Sequence, residues 1–118
     1  MENYKINNYL EDKVNAFSTS RANNNSYKEL YAELRIINKH GLHARPAAAF
    51  VKTASRYDAK VIVETEDGKR ASGKSIMGLM TLELSQGRKM RLYVRGNGDA
   101  YECFEKLKTL VNSGFEED

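Results

Sequence analysis

The sequence predicts an α+β fold, an open-faced β-sandwich in which a mostly antiparallel four-stranded sheet carries three helices on one face. One observation is the element order βαββαβα, in which short strand patterns alternate with helical apolar periods. A second is the length of 118 residues, which suits one domain rather than two. The third is that two-residue hairpins are scarce and helices intervene between most strands.

The first strand and the first helix are close together in the sequence. Leu34, Ile36 and their neighbours form the predicted first strand. A helix is predicted from Pro46 to Tyr57, because apolar residues recur there at the spacing of one helical face. These residues are Ala47, Phe50, Val51 and Ala54.

Two more strands and a short helix follow. Residues 61–64 are short and β-branched, which favours a strand. Asp67-Gly68 is a typical hairpin turn, and residues 69–71 form the predicted returning strand. Ser75 is the predicted N-cap of a short helix. The apolar residues of that helix are Ile76, Met77, Leu79 and Met80.

A half-buried strand and a final helix complete the domain. Apolar and polar residues alternate through the last strand, whose apolar members are Met90, Leu92 and Val94. Asp99 is predicted to cap the last helix, and Gly114 to close it. The core stripe of this helix consists of Ala100, Cys103, Phe104, Leu107, Leu110 and Val111. The position of Cys103 on that stripe predicts a buried structural thiol.

Residues 1–30 form a predicted N-terminal extension to a domain that spans residues 31–118. The polar run of residues 18–26 has no apolar period and predicts a linker. An isolated helix as short as the one before it is marginal in water. A helix docked on the domain or on a partner and a loosely ordered tail therefore both stay open. The helix is indicated by the spacing of Ile6, Leu10, Val14 and Phe17.

Charge and composition limit the classes of function. The formal net charge is +3 and arises from residues 31–118, because residues 1–30 hold four basic and four acidic side chains. So small an excess does not indicate a nucleic-acid binder, but it suits an acidic protein partner or a phosphate. The single cysteine excludes an internal disulfide and a cysteine-rich metal site. Without a signal peptide or a long apolar stretch, we expect a cytoplasmic protein with no membrane insertion.

The segment with the clearest chemistry is residues 40–46, HGLHARP. Pro46 suits a first helical turn, which places His43 at or just before the helix N-terminus, beside the unpaired amides of Ala44 and Arg45. That end of a helix attracts anions and disfavours a charged imidazolium. Arg45 adds a guanidinium that can bind phosphate oxygens. An isolated histidine is more simply a polar cap, but this combination favours reversible phosphorylation of His43, with His40 as a turn residue.

Two motifs resemble those of a known family. Residues 41–47, GLHARPA, are similar to the active-site signature of HPr, the histidine-containing phosphocarrier of the phosphoenolpyruvate-dependent phosphotransferase system. Residues 74–80, KSIMGLM, resemble the regulatory serine site of that family. The element order is also similar. The resemblance covers residue 31 to the C-terminus, whereas residues 1–30 have no counterpart in the usual short HPr.

The resemblance implies a phosphoryl carrier rather than an enzyme, with no cofactor and no metal. His43 is similar to the histidine that takes phosphate at Nδ1 from enzyme I and passes it to an enzyme IIA domain. Arg45 resembles the arginine that steadies the phosphoryl group, and the amides of Ala44 and Arg45 would hold it. Ser75 resembles the serine modified by HPr kinase/phosphorylase.

The resemblance also implies an apolar partner surface on the short helix, formed by Ile76, Met77 and Met80. Four apolar residues in five positions cannot all face inward on one short helix. We therefore expect at least one or two of them to be exposed. Exposed methionines suit a carrier that must fit several partners.

Two alternative functions stay open. Residues 68–75, GKRASGKS, match the phosphate-loop pattern G-x-x-x-x-G-K-[ST] and would by themselves indicate a small nucleotide-binding protein. That fold needs a parallel sheet with crossover helices, for which this chain is short. The other alternative is a small RNA-binding domain that uses Tyr93 between Arg91 and Arg95 on one sheet face. The modest net charge weighs against it.

Overall fold

A computed structural model of the chain describes residues 27–117 and the backbone of residues 16–19. The strands of these residues are β1 (Ala16–Thr19), β2 (Lys28–Arg35), β3 (Lys60–Thr65), β4 (Arg70–Ser72) and β5 (Lys89–Gly96). The helices are α1 (Ala44–Ala54), α2 (Ile76–Met80) and α3 (Ala100–Asn112), followed by a 3-10 turn over Gly114–Glu116. No helix in this part of the chain is both long and apolar enough to cross a bilayer.

The strands form one sheet in the order β1-β2-β5-β3-β4, in which every neighbouring pair is antiparallel. Leu34 of β2 lies opposite Met90 of β5, and Val63 of β3 lies opposite Leu92. Because side chains alternate along a strand, these buried residues share one face of the sheet. The predicted α+β fold, a four-stranded antiparallel sheet with three helices, is confirmed for β2 to β5.

Within the N-terminal extension, the structure differs from the sequence interpretation at Ala16–Thr19. The spacing that ends at Phe17 left a helix and a loosely ordered tail open, and Ser18-Thr19 belonged to the predicted linker. The structure instead has a fifth strand, Ala16–Thr19, at the edge of the sheet. Pairing with β2 satisfies backbone groups on its free edge, whereas a short isolated helix has little stability of its own. The other predicted helix positions, Ile6, Leu10 and Val14, and the linker after Thr19 up to residue 26 lie outside the described residues. Strand β2 begins at Lys28, before the predicted domain boundary at residue 31.

The core lies between the sheet and the helices. Helix α1 contributes Ala47 and Phe50, both at most 1% exposed. Cys103 of α3 is fully buried, and burial raises its pKa to about 11. A thiol with such a pKa stays protonated at neutral pH, so the prediction of a structural cysteine is confirmed.

Three helix ends differ from the sequence prediction, both ends of α1 and the start of α3. Helix α1 begins at Ala44, two residues before Pro46, and ends at Ala54 rather than at Tyr57. Asp99 does stand at the N-cap position of α3, but its carboxylate makes no capping bond to that helix. Its Oδ2 instead accepts a hydrogen bond of 2.9 Å from the amide of Asp58, which joins the start of α3 to the loop before β3.

The segment that matched the phosphate-loop pattern has a different architecture. Residues 70–72 form β4, which pairs antiparallel with β3 across the turn at Gly68. Gly68 has a left-handed φ of +93°, as the predicted hairpin turn requires. A phosphate loop joins a strand of a parallel sheet to a helix. The nucleotide-binding alternative is therefore wrong in its structural premise.

The outer face of the sheet holds the residues of the RNA-binding alternative. The Tyr93 hydroxyl donates to Glu64 Oε1 at 2.8 Å, and Arg91 donates to the same oxygen at 3.3 Å. Arg95 pairs with Glu29 at 3.4 Å. These partners occupy the cationic and hydroxyl groups that base or phosphate recognition would need, which weakens that alternative.

Candidate functional site

A tight turn carries the chain from β2 towards α1. Gly41 has a left-handed φ of +69°, and a Cβ at this position would lie 2.5 Å from the carbonyl oxygen of Leu84. The amide of the buried Leu42 donates to that same oxygen at 2.8 Å. Both the backbone conformation and the lack of space require glycine here. The turn therefore fixes the position of the next residue, His43.

His43 occupies the N-cap position of α1, with an extended backbone (φ −88°, ψ −168°). Its carbonyl accepts the first hydrogen bond of the helix, from the Ala47 amide at 2.9 Å. The amides of Ala44 and Arg45 precede that bond and have no partner within the helix, and Pro46 has no amide proton. The His43 side chain does not accept a capping bond from its own helix, and 35% of it is exposed. The imidazole of His43 and the free amides of Ala44 and Arg45 thus lie at the same helix end, as the sequence predicts.

Arg45 extends from the first turn of the same helix. Its side chain is 78% exposed, and its Nε lies 3.3 Å from Oε2 of Glu117. A guanidinium held at one nitrogen and otherwise in solvent has donors left over for an anion. Arg45 can therefore reach a group bound at His43 while keeping its contact with the C-terminal segment.

The carboxylate of Glu117 joins the two predicted site residues. Its Oε2 lies 3.3 Å from Nε2 of His43 and 3.3 Å from Nε of Arg45. Its Oε1 accepts a hydrogen bond of 3.0 Å from Nδ2 of Asn38. Asn38 is 4% exposed, and the same nitrogen also donates to the Gly41 carbonyl at 2.8 Å. A buried amide thus holds one carboxylate oxygen and leaves the other for the histidine and the arginine.

The surroundings of Glu117 lower the pKa of its carboxyl group. Desolvation raises that pKa, but the hydrogen bond from Asn38 and the contacts with His43 and Arg45 outweigh it. Glu117 is therefore ionised at neutral pH. An ionised carboxylate can only accept hydrogen bonds, so it favours a proton on the ring nitrogen that faces it.

Ser75 stands at the start of α2, as predicted, and its hydroxyl is engaged. Its Oγ accepts a hydrogen bond of 2.9 Å from the Gly78 amide, which confirms the predicted N-cap. A Cβ at Gly78 would lie 2.9 Å from that Oγ, so the close approach depends on glycine. Ser75 is partly exposed and thus within reach of a modifying enzyme.

The short helix α2 carries the predicted apolar surface. Leu79 is fully buried, whereas Met77 is 74% exposed and Ile76 and Met80 are each 39% exposed. The expectation that some of these four residues face solvent is confirmed. Helix α2 packs against α1, the helix that begins beside His43. The exposed apolar side chains therefore belong to a helix that packs against the one beginning at His43.

Sequence reasoning missed Asn38 and Glu117. Asn38 lies between the predicted first strand and the HGLHARP segment, outside both patterns. Glu117 follows the last helix in an acidic run with Glu116 and Asp118, and no local pattern separates it from them. Asn38 and Gly41, three residues apart in a polar turn, were the available signal for a side chain that bonds the turn backbone.

Comparison with known proteins identifies the family of this chain. A family described as PTS HPr component phosphorylation site matches residues 30–113. The chain belongs to this family. HPr proteins are carriers of the phosphotransferase system rather than enzymes, and the resemblance found in the two motifs is confirmed at the level of the family.

Several HPr relatives match over most of their length. The HPr-like protein Crh of Bacillus subtilis is 48% identical over 73 residues, which cover 62% of this chain and 84% of Crh. The phosphocarrier protein HPr of Pseudomonas putida is 41% identical over 85 residues, covering 72% of this chain and 93% of the relative. A crystal structure of HPr from Thermoanaerobacter tengcongensis superposes with a TM-score of 0.69 at 43% identity, covering 75% of this chain and 97% of that one.

Proposed function

We propose that this protein accepts a phosphoryl group from enzyme I on His43 and passes it to an enzyme IIA domain in the cytoplasm. The observation that carries the proposal is the N-cap position of His43, whose side chain leaves the helix amides free. Most N-cap side chains occupy those amides themselves. Here the amides of Ala44 and Arg45 are left to bind the oxygens of a phosphoryl group.

Arg45 has the second role in this proposal. Its guanidinium is mostly in solvent, one residue beyond the first free amide. A planar guanidinium can donate two parallel hydrogen bonds to phosphate oxygens, which steadies the group during transfer. Removal of Arg45 should slow the transfer, but it should leave the fold intact because the side chain is exposed.

The partner surface in this proposal is formed by Ile76, Met77 and Met80. Exposed apolar side chains on the helix that packs against α1 provide contact area for a partner that must bring its own reactive group to His43. Methionine is flexible and polarisable, so one surface can fit both the donor and the acceptor protein.

Ser75 is the regulatory site in this proposal, with HPr kinase/phosphorylase as its modifying enzyme. The relative Crh is named an HPr-like protein, and the family resemblance of residues 74–80 supports a serine site. A phosphate at a helix start is tolerated by the fold, because it faces the positive end of the helix. Its effect would fall on partner binding at the adjacent apolar residues.

Phosphorylation mapping with both donors tests the function. Phosphoenolpyruvate and enzyme I should give an acid-labile, alkali-stable phosphate on His43, and ATP with the kinase should give an acid-stable phosphate on Ser75. His43→Ala should abolish only the first product and retain the circular dichroism spectrum of the folded protein.

The matched control is His40→Ala. The His40 ring lies 5.9 Å from that of His43, and His40 is exposed, so this variant removes a neighbouring imidazole without touching the helix end. It should be phosphorylated at the wild-type rate. Phosphate on His40, or equal loss of phosphate in both variants, would contradict the assignment of His43.

A further inference from the structure

The contact between Glu117 and His43 involves a particular ring nitrogen. Nε2 of His43 lies 3.3 Å from Oε2 of the carboxylate, an ion-pair distance. This buried nitrogen makes no hydrogen bond to the described residues, so its link to Glu117 is electrostatic. Nδ1 is the other ring nitrogen. In a neutral imidazole one nitrogen carries the proton and the other carries the free electron pair. Whatever holds the proton on Nε2 makes Nδ1 the nucleophile.

We propose that Glu117 is a positioning residue that holds the His43 proton on Nε2 and so reserves Nδ1 for the phosphoryl group. This proposal rests on the proposed function of His43 for its consequence, although the choice of nitrogen can be measured without it. A carboxylate that orients an imidazole from its far nitrogen is a recurrent device of reactive and metal-binding histidines.

The carboxylate is itself held in place by the surrounding fold. Asn38, which is buried, donates to Oε1, so Oε2 points to the histidine. Phe115 is 7% exposed, and this buried ring anchors the chain two residues before Glu117. The backbone reaches that point through left-handed φ values of +59° at Phe115 and +60° at Glu116. A terminal segment fastened in this way places its carboxylate by packing rather than by chance contact in solvent.

The electron and proton balance of the transfer agrees with this role. The Nδ1 electron pair forms the new nitrogen–phosphorus bond, while the bond from phosphorus to the donor protein breaks and leaves its electron pair on the donor. The proton on Nε2 stays in place, so the phosphorylated ring gains positive charge. Glu117 faces that charge directly. In the onward step the nitrogen–phosphorus bond breaks and the pair returns to Nδ1.

A competing interpretation is that Glu117 blocks the site as an anion in place of phosphate. The geometry favours positioning, because the contact is with Nε2, whereas phosphate would be attached to Nδ1 on the other side of the ring. The two interpretations predict opposite effects on rate. Removal of a blocking carboxylate accelerates phosphorylation, and removal of a positioning carboxylate slows it.

The experiment uses the full chain and three variants. Nitrogen-15 NMR of His43 reports the tautomer of the neutral ring in the unphosphorylated protein. We expect the Nε2–H form to predominate in the wild type and the Nδ1–H form to increase in Glu117→Ala. Glu117→Gln should give an intermediate population, because its amide oxygen can still accept from Nε2. Glu116→Gln is the matched control, since Glu116 is exposed, and it should retain the wild-type tautomer.

Rates with phosphoenolpyruvate and enzyme I complete the test. Phosphorylation of Glu117→Ala should be about tenfold slower than that of the wild type, as for other histidine-orienting partners. An unchanged tautomer in Glu117→Ala, or faster phosphorylation, would overturn the positioning role. If the wild type takes up no phosphate on His43, the proposed function fails, whereas the NMR result still decides the role of Glu117.

Discussion

The N-termini of α1 and α2 carry the two candidate phosphorylation sites and differ in how their backbone amides are bonded. At α1 the N-cap residue is His43, whose side chain makes no capping bond to the helix. At α2 the N-cap residue is Ser75, whose hydroxyl accepts from the Gly78 amide at 2.9 Å. Both residues have the extended backbone of a cap, so the difference lies in the side chain alone.

Under the proposed function, this difference separates a site that binds a phosphoryl group from a site whose side chain stabilises its helix. The amides at α1 are available to a phosphoryl group, and the ring beside them is held by Glu117 through a contact that leaves the helix end open. The Ser75 hydroxyl already accepts a hydrogen bond from the Gly78 amide of α2, so an enzyme that modifies Ser75 must break that bond. A helix N-terminus therefore indicates an anion site only when its cap is not already satisfied.

Of the substitutions that test the difference between α1 and α2, Gly41→Ala should have the largest effect on stability and on phosphate uptake. A Cβ would lie 2.5 Å from the Leu84 carbonyl in a left-handed backbone, so the turn before His43 must move. We expect a loss of at least about 2 kcal/mol in the free energy of unfolding, measured by urea denaturation. Phosphate uptake by His43 should fall as well, while the Ser75 site should keep its activity.

Gly87→Ala is the control for this substitution. Gly87 has a comparable φ of +89°, but no atom lies within 4 Å of the added Cβ. Only the backbone conformation is then strained, and the cost should be about 1 kcal/mol. Equal losses in the two variants would show that the contact with Leu84 does not constrain the turn.

The next effect in size is the loss of the serine cap. Ser75→Ala removes the hydrogen bond to Gly78 and should lower the free energy of unfolding by about 1 kcal/mol. Urea denaturation measures the change, and Ser55→Ala, at an exposed serine beyond the end of α1, is the control. A loss no greater than that of the control would mean that the Ser75 hydroxyl does not stabilise α2.

A reciprocal substitution at α1 should have a smaller effect of the opposite sign. His43→Ser places a good capping side chain on a backbone that already has the cap conformation. We expect the protein to gain about 0.5 kcal/mol in the free energy of unfolding while losing phosphate uptake from enzyme I. Stability and function would then be exchanged at a single position. A less stable variant would show that His43 itself supports the helix start.

The sequence predicted the positions of His43 and Ser75 at two helix N-termini because their determinants are local. Pro46 marks the first turn of α1, and Ser75 stands directly before the apolar residues of α2. The alternation of β5 and the Asp67-Gly68 turn likewise predicted the sheet from near neighbours in the chain. The confirmed family follows from the same short motifs, since those residues surround the histidine and the serine.

The parts that sequence reasoning missed depend on distant contacts. Asn38 and Glu117 are 79 positions apart, and their contact follows from how the C-terminal turn packs rather than from any motif. Strand β1 was missed for a related reason. The apolar spacing that ends at Phe17 indicates a helix in isolation, but the free edge of β2 pairs with Ala16–Thr19.

The smallest expected effect is the pH dependence of the stability that the ionised Glu117 carboxylate contributes through its contacts at the start of α1. The pKa of Glu117 is below its ordinary value of 4.5 in the folded protein, because Asn38, His43 and Arg45 favour the charged form over the cost of desolvation. The unfolded chain therefore binds the proton more tightly, and stability rises with pH in this range. The contribution of Glu117 to the free energy of unfolding is complete above pH 4.5 and is lost as the pH falls through the lower pKa of the folded protein.

The difference in the free energy of unfolding between the wild type and Glu117→Gln should shrink over that pH range, whereas the difference for Glu116→Gln should not change with pH there. A difference that stays constant down to the acid limit would show that the Glu117 contacts do not depend on its charge.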